Sequence, residues 1–241
     1  AWLLPGLSGA GAVLAGGGLL AIWAHRRTQL RHRRPGQTLA PTPLGLAAVE
    51  KTVFVAGTRT AGPIRQLDRA LRHLSAALTS DGRALPTVVS VVLGEATASI
   101  TLSGAMELPQ PWQGEGDRWT VRFDESMPEV DVLPPYPLLV SVGQDDGGAL
   151  RLVNLEHFGS VTLTGDPDAA IALARHIAAE LALNPWSLLV DIRAIGIGDE
   201  LAALEPSRLR CHDSNDGGLD EIEADLTAAE QAGFGDPDPY R

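Results

Sequence analysis

The first 24 residues contain no charged side chain, and this stretch constrains the chain more than any other feature. Trp2 and Trp23 stand near its two ends. The 21 steps between them would extend over about 32 Å in an α-helix, close to the thickness of a bilayer's hydrocarbon core. Tryptophan is favoured at both membrane–water interfaces. The stretch therefore predicts a transmembrane helix over residues 1–24.

A basic cluster follows the uncharged stretch directly. It consists of Arg26, Arg27, Arg31, Arg33 and Arg34. Because excess arginine marks the cytoplasmic side of a membrane helix, we expect the N-terminus outside and the body in the cytoplasm. Residues 25–43 read as a basic juxtamembrane segment and linker in a single-pass protein of the cell membrane. A signal peptide, which carries its positive charges before the apolar stretch, and a buried soluble helix are the alternatives.

Small residues recur four apart within the predicted membrane helix, at Gly11 and Ala15 and at Ala12 and Gly16. Such spacing permits close backbone approach between membrane helices. The lipid bilayer, other membrane helices and protein partners are therefore the expected partners. The alternative is that the small residues only reflect composition.

Charge is divided unevenly along the chain, whose formal net charge is −11. No acidic residue precedes Glu50, so the part after Arg34 holds 14 basic and 30 acidic residues, a formal charge of −16. Such a body would repel phosphates, and we expect no nucleic-acid partner. A single cysteine excludes a disulfide scaffold or a multi-cysteine metal site.

Residues 44–133 are predicted to form a small α+β unit. Residues 44–56 look helical, and a firmer helix follows Pro63, with leucines at three- and four-residue spacing and its end at Asp81-Gly82. β-rich runs then predict a hairpin and a further strand, at Thr87–Leu93, Ala98–Leu102 and Trp119–Phe123.

Residues 134–232 are predicted to form a parallel α/β domain of P-loop-like type, followed by a tail over 233–241. The predicted strands Leu138–Val142 and Ala149–Leu155 flank the turn at residues 144–148, which predicts a hairpin. Further strands are predicted at Ser160–Thr164 and Ser187–Ile195. A helix with Ile171, Ala174, Ile177, Ala178 and Leu181 on its buried face is expected to end at Asn184-Pro185. A turn or short helix over Ile197–Leu204 and an acidic helix over 218–231 complete the domain.

The predicted domain lacks the phosphate-binding motif. A working P-loop needs lysine and serine or threonine after its glycines, whereas the run here is GDPDAAIA. Gly165 is present, but Asp166 and Asp168 would repel a phosphate at the helix N-terminus. Asp166 suits the N-cap and Pro167 the first helical position, which predicts a capped helix start. We therefore expect no cofactor, no metal and no enzymatic activity, ATP hydrolysis included.

Other candidates for chemistry favour structural interpretations. Asp191 alternates with Arg193 and predicts an ion-paired or solvated strand face, and Gly196-Ile197-Gly198 predicts a turn. Cys211-His212-Asp213 is interpreted as a loop thiol with a chance neighbour. The remaining histidines, His73, His157 and His176, are isolated. His73 and His176 lie within predicted helices and are expected at the surface or its boundary. The acidic helix, with Asp220, Glu221, Glu223 and Asp225, is expected to be a solvated face.

Three parts of the sequence resemble one group of large bacterial membrane proteins. They are HRRTQLRHRRPG (25–36), QLDRALRHLSAAL (66–78) and a longer region from PYPLLVSVGQDDGG through GSVTLTGDPDAA to NPWS (135–187). The group combines LysM peptidoglycan-binding repeats, membrane helices and a bacterial transcriptional activator domain. The resemblance runs from Trp2 to the last helix and matches their cytoplasmic middle region, without the repeat or the activator domain. More distantly, GDPDAA resembles a degenerate ATPase domain of FtsK-type translocases that has lost its lysine.

These observations favour a non-catalytic, membrane-anchored cytoplasmic scaffold or signalling module of a larger envelope-associated protein. The first alternative is a nucleotide-binding or motor-type ATPase subunit, active or inactive, of a secretion or translocation machine. The second is part of a membrane-bound transcriptional regulator.

Overall fold

The computed structural model describes residues 47–123, 127–197, 201–202, 204–213 and 215–231, without the side chains of 47–60, 215–217 and 229–231. This part of the chain is a mixed α/β structure with four helices and eight strands. The helices are α1 (Ala47–Ser80), α2 (Leu155–Phe158), α3 (Pro167–Leu183) and α4 (Asn215–Gln231). The strands are β1 (Val88–Leu93), β2 (Thr97–Leu102), β3 (Gln113–Glu115), β4 (Arg118–Arg122), β5 (Leu139–Gln144), β6 (Leu150–Asn154), β7 (Ile192–Ile195) and β8 (Leu209–His212).

Six strands form an antiparallel sheet in the order β3-β4-β2-β1-β6-β5. The predicted hairpins are confirmed as β1–β2 and β5–β6, and the predicted strand at Trp119–Phe123 is β4. β3 was not predicted, because its three residues are all exposed and show no alternation. The boundary expected between 133 and 134 does not divide the sheet, since β6 pairs with β1 across it.

Helix α1 lies on the main hydrophobic core, which it shares with the inward-facing residues of the sheet. Its buried stripe is the predicted one, and Ile64, Leu67 and Leu74 are fully inaccessible. The sequence predicted two helices separated at Pro63, but α1 runs through that residue. A proline removes one helical hydrogen bond, and burial of the apolar stripe that follows it offsets this loss.

Strand alternation sets the inner and outer faces of the sheet. In β2 the residues Ala98, Ile100 and Leu102 are buried in the main core. On the outer face, the hydroxyls of Ser99 and Thr120 lie 2.8 Å apart in a cross-strand hydrogen bond. The period of two thus separates an apolar face from a hydrogen-bonding face.

A second, smaller core joins α3 to the parallel pair β7–β8. The predicted P-loop-like parallel domain is therefore wrong in its sheet, because only β7 and β8 are parallel among the described strands. Ser160–Thr164 is not a strand, and the strand predicted over Ser187–Ile195 is confined to its last four residues. The reason is the short turn at Asp145–Gly148, which directs β5 and β6 into an antiparallel hairpin on the main sheet.

Among the described residues no helix is both long enough and apolar enough to cross a membrane. The predicted transmembrane helix lies outside these residues. The same holds for every predicted anchor side chain, namely Trp2, Trp23, Arg26, Arg27, Arg31, Arg33 and Arg34. The membrane anchor therefore stays a prediction.

The connection from β4 to β5 is attached to the core by Tyr136. Its side chain is buried, and the hydroxyl donates a 2.7 Å hydrogen bond to the carbonyl oxygen of Pro86. Burial raises the pKa of this phenol well above its ordinary value, and the nearby Glu156 carboxylate adds to the rise.

We predict that Tyr136→Phe lowers the free energy of unfolding by about 1–2 kcal/mol, because the Pro86 carbonyl loses its buried donor. Because the folded-state pKa is raised, the unfolded chain releases the phenol proton first. The stability that the wild-type phenol contributes is therefore fully present below about pH 10 and is lost as pH rises further. Guanidinium unfolding at pH 8 and pH 11 measures both effects. If the free energy of unfolding depended on pH above pH 10 in the same way for the wild type and for Tyr136→Phe, the predicted pH effect of the phenol would be contradicted.

Candidate functional site

Strand β5 is an edge of the six-stranded sheet, and side chains take the place of a neighbouring strand along it. The amide N–H of Ser141 donates to Glu180 Oε1 over 2.9 Å. The carbonyl of Leu139 accepts a 2.8 Å hydrogen bond from Trp186 Nε1. Two residues earlier, the carbonyl of Pro137 accepts from the hydroxyl of Ser187 over 2.7 Å. We call Glu180, Asn184, Trp186 and Ser187 the edge cap.

The edge cap is sealed from solvent, and Glu180 lies at its centre with no accessible surface. Oε2 of this carboxylate accepts from the hydroxyl of Ser141 at 2.6 Å and lies 2.9 Å from Nε2 of His176. Oε1 also receives a longer contact of 3.4 Å from the Asn184 amide. A buried carboxylate needs several donors of this kind to offset its lost hydration.

Ser141, His176 and Glu180 are the residue types of a hydrolase triad, but their geometry differs from one. In a triad the imidazole joins serine and carboxylate through its two different nitrogens. Here both partners approach the same nitrogen, Nε2, at 3.1 Å and 2.9 Å. The Ser141 hydroxyl binds the carboxylate directly and is fully buried, so it cannot reach a substrate. The arrangement joins α3 to β5.

The helical period brings these side chains together. His176, Glu180 and Asn184 are four residues apart and so occupy one face of α3. Asn184 also ends the helix, and its N–H donates to the carbonyl of Glu180 at 2.8 Å, which confirms the predicted stop. The prediction that His176 is a surface or boundary residue missed its role in this cluster. The polar spacing of four on an apolar helix was the signal that could have identified it.

The turn predicted as a degenerate phosphate loop is an exposed helix start. Asp166 is the N-cap of α3, and its carboxylate accepts from the amide of Ala169 at 2.9 Å, with Pro167 in the first turn. This confirms the predicted cap. Gly165 and Asp168 are exposed beside it, and no strand leads into the turn. The buried face of α3 differs from the expectation, since Ile171 is exposed and burial begins at Ala178.

Helix α4 is bound to β7–β8 by ion pairs. Arg193 lies 2.6 Å from Asp225 and 3.4 Å from Glu221, so it pairs with α4 and not with Asp191. Glu221 also lies 3.2 Å from Arg210 and 3.6 Å from His212. The acidic helix is therefore not only a solvated face, although Asp220 and Glu223 do point outward.

The remaining predicted residues lie apart from one another. Cys211 and His212 are strand residues of β8, so the expected loop thiol is wrong; pairing with β7 accounts for the strand. His157 is exposed and meets Phe158 edge-on, whereas His73 is half-buried on α1. Gly196 follows β7 in a bend, and Gly198 lies outside the described residues. In the described part of the chain no three histidine, cysteine or acidic side chains form a metal-binding group.

An apolar groove of about 380 Å³ lies between α3, β7 and residues 159–163. Ala174, Ile177 and Ala178 line it from the helix, and Val161 and Leu163 line it from the connecting segment. The groove has no cluster of polar groups comparable to the edge cap. Its lining suits apolar contact.

Comparison of the chain with protein-family models, with curated proteins and with solved structures found no match.

We predict that Glu180→Ala lowers the free energy of unfolding by about 2–4 kcal/mol, because buried donors on Ser141 lose their acceptor. Glu180→Gln should cost less, since its amide oxygen can still accept from the Ser141 N–H. Glu223→Ala, an exposed acidic residue on α4, is the matched control and should stay within about 0.5 kcal/mol of the wild type. Guanidinium unfolding followed by circular dichroism measures all three. Equal stability of the Glu180→Ala and Glu223→Ala variants would refute the role of the edge cap.

Proposed function

We propose that this chain is a non-catalytic, membrane-anchored scaffold or signalling module of a larger envelope-associated protein. The observation that carries the proposal is the hydrogen bonding of Ser141, His176 and Glu180. These catalytic-type side chains are committed to joining two hydrophobic cores, and the serine hydroxyl is sealed. These hydrogen bonds hold α3 in a fixed position on the sheet edge. An interaction module needs a fixed arrangement of this kind to present a constant surface to its partners.

The distribution of charge supports the membrane part of the proposal. The uncharged segment 1–24 and the arginines that follow it would hold the body at the cytoplasmic face. The body carries the acidic excess, with part of it directed outward from α4 at Asp220 and Glu223. An acidic body is repelled by anionic headgroups, so we infer that its partners are proteins that approach from the cytoplasm.

The proposal competes with a nucleotide-binding subunit of a translocation machine. The start of α3 would have to hold the phosphates in that case. Asp166 already occupies the amide of Ala169 there, and Asp168 adds a second carboxylate in the first turn. Negative charge at this position opposes phosphate binding. A role within a transcriptional regulator would require contacts from parts beyond this acidic body.

We predict that the 241-residue chain, held in lipid nanodiscs, binds Mg-ATP no tighter than a Kd of about 1 mM in calorimetric titration. Asp166→Ala should cost about 1 kcal/mol of stability through loss of the helix cap, whereas Asp166→Ser should keep the cap. Neither substitution should alter the titration. Micromolar binding that is abolished by changes within residues 165–170 would overturn the proposal in favour of the nucleotide-binding alternative.

We predict that proteinase K digests the body of the chain in inside-out vesicles and leaves it intact in right-side-out vesicles, because the arginines fix the cytoplasmic side. Immunoblotting of an epitope placed in the exposed turn at 145–148 reports digestion. Detergent-opened vesicles control for intrinsic resistance. Protection of the body in inside-out vesicles would contradict the predicted orientation.

A further inference from the structure

The apolar groove lies along one edge of β7 rather than over one of its faces. Four consecutive β7 residues, Ile192–Ile195, line it. Successive side chains of a strand point to opposite faces, so contact with four in a row places the groove beside the backbone. The groove therefore runs along the side of β7 away from β8.

That edge of β7 has no strand partner among the described residues. On the β8 side, the amide of Ile192 donates to the carbonyl of Arg208, just before β8, and the amide of Gly196 donates to the carbonyl of His212. Because backbone groups alternate in direction along a strand, the amides of Arg193 and Ile195 point to the other edge. An open edge with outward-pointing donors is a template for a further strand.

Residues 160–164 lie across the groove from this edge, and we call them the strap. Their sequence, Ser-Val-Thr-Leu-Thr, alternates polar and apolar residues and predicts a strand. Only the apolar members Val161 and Leu163 line the groove, as one side of an extended segment would. Val161 is nevertheless 53% exposed, so closing the groove would bury apolar surface.

The strap has a hinge candidate at each end and a suitable connection to β7. Gly159 and Gly165 flank it with φ of 67° and 113°, a region that favours glycine, and an added Cβ would meet open space at both. Such residues absorb the backbone rotation of a hinge. Helix α3 then links the strap to β7, as a crossover helix links two parallel strands.

We propose that the strap closes onto β7 as a third parallel strand, giving the order strap-β7-β8 and filling the apolar groove. In the closed state strap carbonyls accept from the amides of Arg193 and Ile195. Val161 and Leu163 pack beneath α3 against Ala174 and Ile177. In the open arrangement the strap only borders the groove, so the strap is a built-in cover for it. This device is independent of the proposed function.

Residue-resolved hydrogen–deuterium exchange on the full chain in lipid nanodiscs tests the proposal. We expect the amides of Arg193 and Ile195 to exchange at least tenfold more slowly than the amide of Leu189, an exposed turn residue. Ile192 and Ala194, which face β8, are the internal standard for an intact pair. Exchange at Arg193 and Ile195 as fast as at Leu189 in the wild type would overturn the proposal without any variant.

Single prolines distinguish strand pairing from loose packing. In a paired strap, the backbone groups of alternate residues would point towards β7, so Val161 and Thr162 would differ in this respect. Of Val161→Pro and Thr162→Pro, the one that removes an amide facing β7 should abolish protection at Arg193 and Ile195. The other should reduce that protection less. Val161→Ala, which keeps the amide, controls for the lost side chain. Slow exchange at Ile192 and Ala194 shows that a variant is folded. Folded proline variants that both retain wild-type protection at Arg193 and Ile195 would also overturn the proposal.

Discussion

The unpaired edge of β5 is the constraint on which the arrangement of the two cores depends. Backbone groups buried without a hydrogen-bond partner cost more than the net gain of a formed bond. Here Glu180 and Trp186 supply those partners at Ser141 and Leu139 of the strand, and Ser187 supplies one at Pro137 just before it. These hydrogen bonds fix the end of α3 on the sheet. They also position β7–β8, which packs against α3 in the smaller core. An edge covered in this way is also closed to pairing with other chains.

The same constraint explains why residue types alone misrepresent the chemistry of this chain. Serine, histidine and glutamate at hydrogen-bond distance suggest catalysis until their burial and the shared imidazole nitrogen are considered. The acidic helix α4 offers a parallel case, since Glu221 and Asp225 bind it to Arg193. In both places polar groups connect secondary-structure elements. The proposed scaffold role follows from this use of polar side chains for internal connection.

Local pattern predicted the elements of the fold more successfully than their partners. The leucine spacing after Pro63 identified the buried stripe of α1, the Asp145–Gly148 turn identified a hairpin, and Asp166 with Pro167 identified the start of α3. The pattern failed where a distant partner decides the outcome. The prediction broke the helix at Pro63 because the energy of tertiary packing cannot be read from the local sequence. It also assigned residues 160–164 as a strand, although no described strand pairs with them in this structure.

Four features are properties of the sequence itself: the order of charges along the chain, the amphipathic stripe of α1, the hairpin turns and the cap of α3. Each of them depends on residues that are close together in the sequence. Tertiary structure decided that six strands run antiparallel, that β6 joins β1 across the expected boundary, and that His176, Glu180 and Asn184 meet the edge of β5. These features require residues far apart in sequence to come together. Hydrogen bonding and burial select such contacts only once the whole backbone is in place.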